Sequence, residues 1–376
     1  MKLLLIGAGH AHAFVLEAFA KQPDPSVEIT VVSDSPFAAY SGSVPAWLAG
    51  ECTLRETQID VKALCQRAKA RLVLAPARSI NAQAQYAELA DGERIVFDVA
   101  SLNIGSTLTL PQQHGKQRPK LLAMRPLSSL HQRWQALQED ISYLPSVGIQ
   151  RIVSVGGGAA GCETLMSVLA QLRHLRPDIT WQGVLITASK TLLPGAGRLP
   201  RWLMARALKR AGISVHSGVR GNALVAGGVS TTEEGRIKAD IVLWATGAVG
   251  QPWLKGTALP LNEKGFIRVN ASLEVVGQPG IFAVGDCAAF TPPLPSAGVY
   301  AVRMGPILAD NLRAACHRET LTAWKPPRRV LALIGTGDGY AIASRGAVGF
   351  AGKWVWQWKK RIDARFIARF NPPFKD

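Results

Sequence analysis

The amino-acid sequence predicts an α/β protein that contains two Rossmann-like dinucleotide-binding units. Two glycine motifs predict these units: each follows an apolar strand and precedes a helix-like pattern, and they lie about 150 residues apart. Two further apolar strands end in glycine-containing turns, as strands of open parallel sheets do at their ligand-binding edge. With 376 residues, 48% of them apolar, the chain is long enough to bury more than one core.

The first glycine motif follows residues 3–6, an apolar run typical of a buried parallel strand. Gly7 permits a tight turn, Gly9 lets the backbone approach a pyrophosphate, and the following helix offers its free N–H groups to that anion. His12 stands where a third glycine normally allows close helix–strand packing, which weakens the motif. His10 and His12 form an H-x-H pair, which we interpret as a local packing or cofactor contact in preference to a metal site.

The second apolar strand, EITVVS, ends next to Asp34. An acidic residue at this point of a dinucleotide-binding unit bonds a ribose hydroxyl, so Asp34 is a candidate for that role. The alternative is a surface turn residue in the segment SDSP.

The second glycine motif is complete. Gly156, Gly158 and Gly161 follow the apolar residues 152–155, and Glu163 lies in the helix that comes next. One glycine motif is weak evidence alone, but two in the correct strand–turn–helix context predict two bound dinucleotides.

Two later strands also end at candidate ligand residues. The strand in ADIVLWATG ends at Thr246 and Gly247, and the strand in GIFAVGD ends at Gly285 and Asp286. Asp286 lies at the carboxyl end of a parallel strand, where open α/β sheets bind ligands. A helix N-cap is the alternative role for Asp286, and the two roles are compatible.

Together these motifs resemble the pyridine nucleotide–disulfide oxidoreductase superfamily of flavoproteins over roughly residues 1–315. The resemblance implies that the first motif holds the ADP moiety of FAD and that Asp286 bonds the ribityl chain. It implies that the second motif, with Glu163, Thr246 and Gly247, binds NADH or NADPH. The segment LNIGSTL, which contains Gly105, matches the strand that leaves the FAD domain in this superfamily.

The resemblance also implies that the second domain is inserted in the first. We therefore expect an FAD-binding domain at residues 1–110 and 271–318 and an NAD(P)H-binding domain at residues 111–270. Residues 319–376 are expected to form a small C-terminal region with a hairpin and a basic amphipathic tail.

The five cysteines distinguish among members of this superfamily. They are scattered, odd in number and without a CxxC pair, which favours a reducing, cytoplasmic compartment and argues against a structural metal or a redox disulfide. The segments GAGHAHAFVL, YSGSVPAWLAG and GTGDGYAIASRG resemble type II NADH dehydrogenase-like flavoproteins of the kind fused to selenide, water dikinase. The resemblance implies an FAD-dependent NAD(P)H oxidoreductase that passes electrons directly to a quinone-like acceptor. The alternative is a soluble reductase of a protein or of a selenium or sulfur species.

Two residues bear on the details of this reaction. Tyr40 lies in a glycine- and proline-flanked loop, where it is expected either against the isoalloxazine or as an aromatic plug between domains. The second strand of the NAD(P)H domain ends without an acid and is followed by Lys190, which leaves the choice between NADH and NADPH open.

The C-terminal segment KWVWQWKKRIDARFIARF and the net charge of +17 suggest an anionic partner. A helix from Lys359 would align Ile362, Phe366 and Phe370, with three tryptophans before it. Such a segment suits the headgroup region of an anionic membrane, peripherally on its inner face. The alternatives are packing on the protein's own domain and a homodimer interface. Nucleic acid is not favoured, because no recognition helix or aromatic-basic platform is present.

Overall fold

The computed structural model describes residues 1–146, 148–294 and 298–371. The α-helices of these ranges are, in chain order, α1 His10–Lys21, α2 Val44–Leu48, α3 Val61–Arg67, α4 Leu130–Ser142, α5 Ala159–Leu175, α6 Arg198–Arg210, α7 Gly298–His317 and α8 Lys353–Phe370. Short 3₁₀ helices cover Arg55–Thr57, Leu127–Ser129, Pro252–Gly256 and Gly285–Cys287.

The first sheet is parallel and has five strands. In spatial order they are Ile281–Ala283, Val99–Leu102, Lys2–Ile6, Glu28–Ser33 and Arg71–Leu74. Side chains of the strand Lys2–Ile6 alternate between two cores, with Leu3 and Leu5 against α1 and α7, and Leu4 and Ile6 on the opposite face. The sheet is therefore buried on both faces, which explains why its strands are continuous apolar runs.

The second sheet is also parallel and has five strands. Their spatial order is Lys120–Ala123, Ile241–Trp244, Ile149–Val155, Thr180–Thr187 and Ile213–Ser217. In the sequence all five lie between Val99–Leu102 and Ile281–Ala283, the fourth and the last strand of the first sheet. The predicted α/β class with one unit inserted in the other is thereby confirmed. The boundaries at 110, 270 and 318 remain predictions.

Smaller sheets complete the two halves; their pairs are antiparallel except Gln112–Gln113 with Gly221–Val225 and Ile267–Arg268 with Ala288–Ala289. A three-stranded sheet packs on the first sheet, and a four-stranded sheet joins the second: Ala77–Asn81, Tyr86–Leu89 and Arg94–Val96; Gln112–Gln113, Gly221–Val225, Gly228–Thr231 and Arg236–Lys238. In the four-stranded sheet the first pair is parallel. Two-stranded pairs are Phe37–Ala39 with Gln58–Asp60, Thr107–Leu108 with Ala248–Val249, and Ile267–Arg268 with Ala288–Ala289.

The C-terminal region contains the predicted hairpin and one strand more. Strands Ala332–Gly335, Ala341–Arg345 and Val348–Gly352 form an antiparallel sheet, with Val348–Gly352 outermost. Helix α8 follows this strand directly. The prediction that the helix begins at Lys359 is wrong: it begins six residues earlier, at Lys353, and contains all three tryptophans of the segment. The tryptophan-rich start was misjudged because tertiary contacts override the weak helix propensity of tryptophan and valine.

The apolar stripe of α8 faces the protein. Phe370 is fully buried, and Phe366 packs beside it against the core between α1 and α7. Phe366 stacks on Tyr40 with ring centroids 4.2 Å apart, and Phe370 meets Phe14 edge-on at 5.0 Å. The stripe that the sequence analysis assigned to a membrane therefore packs on the protein's own first domain.

Candidate active site

The first glycine loop packs closely on Asn103, which follows the neighbouring strand Val99–Leu102 and contacts the loop with both its backbone and its side chain. A Cβ atom at Gly7 would lie 2.6 Å from the Asn103 carbonyl oxygen, and one at Gly9 would lie 2.3 Å from its Oδ1. Asn103 Oδ1 accepts the backbone N–H of Ala11 at 3.0 Å, while Asn103 Nδ2 donates to the Val284 carbonyl at 3.0 Å. Asn103 thus caps α1 and joins three strands of the sheet, and both glycines are needed for its close approach.

His12 stands at the position of the third glycine, and its side chain packs inside the protein. Its ring is fully buried, with Nδ1 2.6 Å from the Gly7 carbonyl oxygen and Nε2 2.8 Å from Ser101 Oγ. Burial lowers the pKa of His12 to about 4, against the opposing effect of the Gly7 hydrogen bond, so the ring is neutral. These contacts correspond to local packing, the first of the two roles considered for His12, and not to a cofactor contact.

His10 lies at the start of α1 and lines the cleft beside the loop. Its Nε2 accepts the backbone N–H of Ser41 at 3.3 Å, and its ring meets Tyr40 edge-on at 5.3 Å. Burial lowers its pKa to about 4; Asp286 opposes that shift and Arg125 adds to it. A neutral ring whose Nε2 accepts carries its proton on Nδ1.

Asp286 and Arg125 form an ion pair across the cleft. Arg125 Nη2 lies 2.6 Å from Asp286 Oδ2, and both side chains are mostly buried. Arg125 follows the strand Lys120–Ala123 of the second sheet, whereas Asp286 follows the strand Ile281–Ala283 of the first. The pair therefore spans the two halves. Arg125 was not predicted from the sequence, although the arginine of RPLSSL lies only two residues beyond the end of a strand.

These features enclose one cleft of about 360 Å³ at the carboxyl edge of the first sheet. It is lined by predicted cofactor residues together with Arg125 and Asn103: Gly7, Gly9, His10, Asp34, Gly105 and Asp286. Gly105 has a φ of +64° and open space where a Cβ would stand, so nothing in the protein blocks a ligand there. A glycine loop at a helix N-terminus, an acid after the second strand and an acid facing the cleft fit the pyrophosphate, ribose and ribityl groups of FAD.

Tyr40 does not line this cleft, although its neighbours Ala39 and Ser41 do. Its ring lies between His10 and Phe366, and Asp363 of α8 is its charged neighbour. Burial and the Asp363 charge raise the pKa of Tyr40. The position corresponds to the second alternative, an aromatic residue that closes a seam, here between the first domain and α8.

The second glycine loop leaves room for a ligand. Gly156 has a φ of +134°, and a Cβ at Gly161 would lie 1.9 Å from the Gly156 carbonyl oxygen. At Gly158, by contrast, a Cβ would meet no atom within 4 Å. Thr246 and Gly247 follow the adjacent strand Ile241–Trp244. The open face at Gly158 is where a pyrophosphate would approach the N-terminus of α5.

Glu163 points away from this loop. Its Oε1 accepts the backbone N–H of Gly335 at 2.6 Å and lies 4.0 Å from Lys359 Nζ. The structure therefore places the carboxylate against the C-terminal region, not at the dinucleotide where the sequence analysis expected it. The side chain of a helical residue can project from any face of the helix. The motif spacing alone did not indicate that the Glu163 side chain faces α8.

Glu163, Lys359 and Asp363 form a buried charge cluster. Lys359 Nζ donates to Asp363 Oδ2 at 2.7 Å and also to the carbonyl of Gly42. Burial raises the pKa of Glu163 to about 7, and Lys359 only partly offsets this shift. Burial likewise raises the pKa of Asp363, again partly offset by Lys359. Because two acids share one lysine, the cluster can hold an extra proton near neutral pH.

The similarity of this chain to known proteins agrees with this geometry. Two parallel sheets, each with a glycine loop, and a cleft suited to FAD define an FAD-dependent NAD(P)H oxidoreductase. The chain belongs to the pyridine nucleotide-disulphide oxidoreductase family, which matches residues 1–305. The predicted superfamily, fold class, enzyme class and cofactors are thereby confirmed.

Among similar proteins, demethylphylloquinone reductase NdbB of Synechocystis sp. is 30% identical over 52% of this chain and 47% of that protein. Apoptosis-inducing factor homolog B of Dictyostelium discoideum is 24% identical over 99% of this chain and 97% of that protein. Type II NADH:quinone oxidoreductase of Haemophilus influenzae is 28% identical over 46% of this chain and 42% of that protein. The matches to NdbB and to the H. influenzae protein thus cover less than half of those relatives.

Two solved structures share the fold. The sulfide:quinone oxidoreductase of Aquifex aeolicus has a TM-score of 0.78 at 16% identity, over 98% of this chain and 91% of that one. NDH2 of Plasmodium falciparum in complex with NADH has a TM-score of 0.77 at 12% identity, over 98% of this chain and 97% of that one.

In the part of the chain that the structure describes, no helix is long and apolar enough to cross a bilayer, and no group of metal-binding side chains occurs.

Proposed function

We propose that this flavoprotein oxidises NAD(P)H and passes the electrons to a quinone-like acceptor without a redox disulfide. One observation carries the proposal: among the described residues, no cysteine lines the flavin cleft. All five cysteines are free, and four of them are buried. A thiol relay needs a reactive thiolate beside the flavin, which this arrangement does not offer.

The individual cysteines support direct transfer. Cys287 follows Asp286 in sequence, but its Sγ donates to the carbonyls of Val284 and Leu102 and so points into the core. Burial, aided by Glu56 and Glu51, raises the pKa of the half-buried Cys52 to about 11. Thiols with such raised pKa values stay protonated and are poor nucleophiles at neutral pH.

The overall reaction is NAD(P)H + H⁺ + quinone → NAD(P)⁺ + quinol. Bound FAD supplies the two-electron chemistry, and the chain binds, orients and shields the reactants. We assign Gly7, Gly9, Asp34, Gly105 and Asp286 to FAD. The second loop with Thr246 and Gly247 is assigned to NAD(P)H: Gly156, Gly158 and Gly161.

The reaction consumes a proton in addition to the hydride of NAD(P)H. The Glu163 carboxyl can hold one, because burial raises its pKa to about 7. A donor with a pKa near the operating pH is suited to proton transfer. The buried charge cluster reaches Gly42 through Lys359, and Ser41, the residue before Gly42, lines the flavin cleft.

The names of two relatives point to the same acceptor class, namely demethylphylloquinone reductase and type II NADH:quinone oxidoreductase. Because quinones are dissolved in the bilayer, we further propose that the protein works peripherally on the inner face of the cytoplasmic membrane. A homodimer is not required by this proposal.

Anaerobic titration of the FAD-loaded protein with NADH and with NADPH, followed by a water-soluble quinone, tests the function. We expect NAD(P)H to bleach the flavin absorbance and the quinone to restore it. Cys52→Ser and Cys287→Ser should keep quinone turnover, since neither thiol takes part. Loss of turnover in Cys52→Ser, or turnover with disulfide, selenium or sulfur acceptors but not with quinones, would contradict the proposal and favour a soluble reductase of those species.

A further inference from the structure

Four large aromatic side chains stay exposed around the outermost strand of the C-terminal sheet. They are termed the aromatic rim: Trp202 (55% exposed), Phe350 (54%), Trp354 (57%) and Trp358 (38%). Soluble proteins seldom expose several large aromatic residues side by side, and such patches mark interaction surfaces. None of the four belongs to the flavin cleft or the buried charge cluster.

The rim is continuous across two parts of the fold. Phe350 lies 6.2 Å from Trp354 between ring centroids, and Trp354 stacks on Trp358 at 6.4 Å. Gly352 lies between the rim tryptophans of α8 and a groove beside α6. A Cβ at Gly352 would lie 3.0 Å from the Trp354 ring, and Gly352 lines this groove of about 310 Å³. Trp202 of α6 lines the same groove, whose walls are mainly apolar.

Basic side chains surround the rim. Arg206 lies over the Trp202 ring at 5.6 Å, and Lys353 over the Tyr340 ring at 5.8 Å. Arg361 and Arg365 extend the exposed face of α8 beyond Trp358. Asp338 is an acidic neighbour, and Arg210 pairs with it at 2.9 Å. The surface is thus aromatic at its centre and positive around it.

We propose that the aromatic rim is the surface that docks on an anionic lipid bilayer. Tryptophan rings prefer the headgroup level, where one side is apolar and the other wet, and basic residues beside them are drawn to anionic lipids. The groove next to α6 receives lipid hydrocarbon. The docking face is therefore the outer face of α8 together with α6 and the edge strand, and not the Phe366–Phe370 stripe.

A second copy of the chain fits this face less well. A symmetric dimer brings the same patch of both copies together, so Lys353, Arg361 and Arg365 of one copy would meet those of the other. Like charges brought together at an interface oppose association, and the whole chain carries +17. An anionic bilayer, in contrast, neutralises this charge.

The purpose of docking rests on the proposed quinone reduction, but its test does not. FAD-loaded full-length protein is floated with vesicles of phosphatidylcholine alone and with vesicles that contain phosphatidylglycerol. We expect binding to the anionic vesicles and little to the neutral ones. Turnover of a water-soluble quinone without lipid, measured in parallel, reports the proposed function separately.

Paired variants locate the surface. Trp202→Ser with Trp354→Ser, and separately Lys353→Glu, should each weaken vesicle binding by about tenfold or more, because each removes aromatic area or charge at the headgroup level. The matched controls Tyr143→Ser, at an aromatic side chain 87% exposed elsewhere, and Lys238→Glu, at an exposed lysine of the second domain, should leave binding unchanged.

Three results would overturn the inference. The unmodified protein does not bind anionic vesicles, or the rim variants bind as well as it does, or the controls lose as much binding as the rim variants. Analytical ultracentrifugation of the same samples checks the other occupant: a dimer that the rim variants dissociate, without vesicle binding, would assign this face to self-association.

Discussion

The two glycine loops look alike in sequence but differ in what their glycines do. In the first loop, Gly7 and Gly9 make room for Asn103, which caps α1 from a neighbouring strand. In the second, Gly158 faces open space. A glycine in such a motif can therefore be required by the protein, by the ligand, or by both, and the neighbours of a built Cβ separate these cases.

The sharpest test compares Gly161→Ala with Gly158→Ala. A Cβ at residue 161 would lie 1.9 Å from the Gly156 carbonyl oxygen, so we expect Gly161→Ala to lower the free energy of unfolding by about 3 kcal/mol or more. Gly158→Ala meets no atom and should cost less than about 1 kcal/mol, the difference between glycine and alanine at a helix N-cap.

Denaturant unfolding measures both effects, and NAD(P)H titration adds the second half of the comparison. Gly158→Ala should weaken NAD(P)H binding although it spares stability, because its methyl group stands where the pyrophosphate approaches. Equal stability losses in the two variants, or unchanged NAD(P)H binding in Gly158→Ala, would show that the loop is not used in this way.

The next largest effect is expected for Asn103→Ala. The change removes the cap of α1 and the amide hydrogen bond to the Val284 carbonyl, which keeps only the weak thiol donor of Cys287. The combined cost is about 2–3 kcal/mol. Because the cap positions the N-terminus of α1, FAD content after purification should also fall. Denaturant unfolding and flavin absorbance give the readouts, with the exposed Asn222→Ala as a control outside the cleft. Full FAD content in a destabilised Asn103→Ala protein would confine its role to folding.

The smallest expected effect is a pH-dependent change in stability at Glu163, which connects α5 to the C-terminal region. Its folded pKa of about 7 lies above the ordinary value of 4.5, so the folded state binds more protons than the unfolded one between these values. Stability from this group is present at low pH and is lost as pH rises through 7.

Glu163→Gln should remove this dependence, which amounts to about 2 kcal/mol between pH 5 and pH 7. Denaturant midpoints across this range check it, with Glu263→Gln as a control at an exposed acid. Identical pH profiles for the unmodified protein and Glu163→Gln would mean that Glu163 is ionised throughout.

The local parts of the fold could be predicted from the sequence. Apolar strands, glycine turns and helix patterns are short-range signals, and they identified both sheets, the cleft edge and Asp286. The partners of single side chains were not predictable, because they depend on distant contacts. Glu163 meets Gly335, and Arg125 meets Asp286, only after the chain has folded. His12 and Asn103 likewise take their roles from residues about 90 positions away.

The tail shows the same limit. Its period of apolar residues predicted an amphipathic helix but not what the apolar face would touch. Phe366 packs against Tyr40 and His10, so the apolar stripe is covered by the protein itself. Trp354 and Trp358 lie on the outer surface of the helix. Helical periodicity gives a face and a direction, whereas burial of that face depends on the whole domain.

Lys359 holds three distant pieces of the chain at one point. Its ammonium group contacts Gly42 of the first domain, Asp363 of its own helix and, at 4.0 Å, Glu163 of the second domain. A protein cut back to residues 1–305 would lose Lys359 but keep the carboxylate of Glu163, and it would also lose residues 306–317 of α7. Helix α8 therefore links the first and the second domain. Shortened versions of this enzyme should be judged by whether both domains still unfold in a single transition.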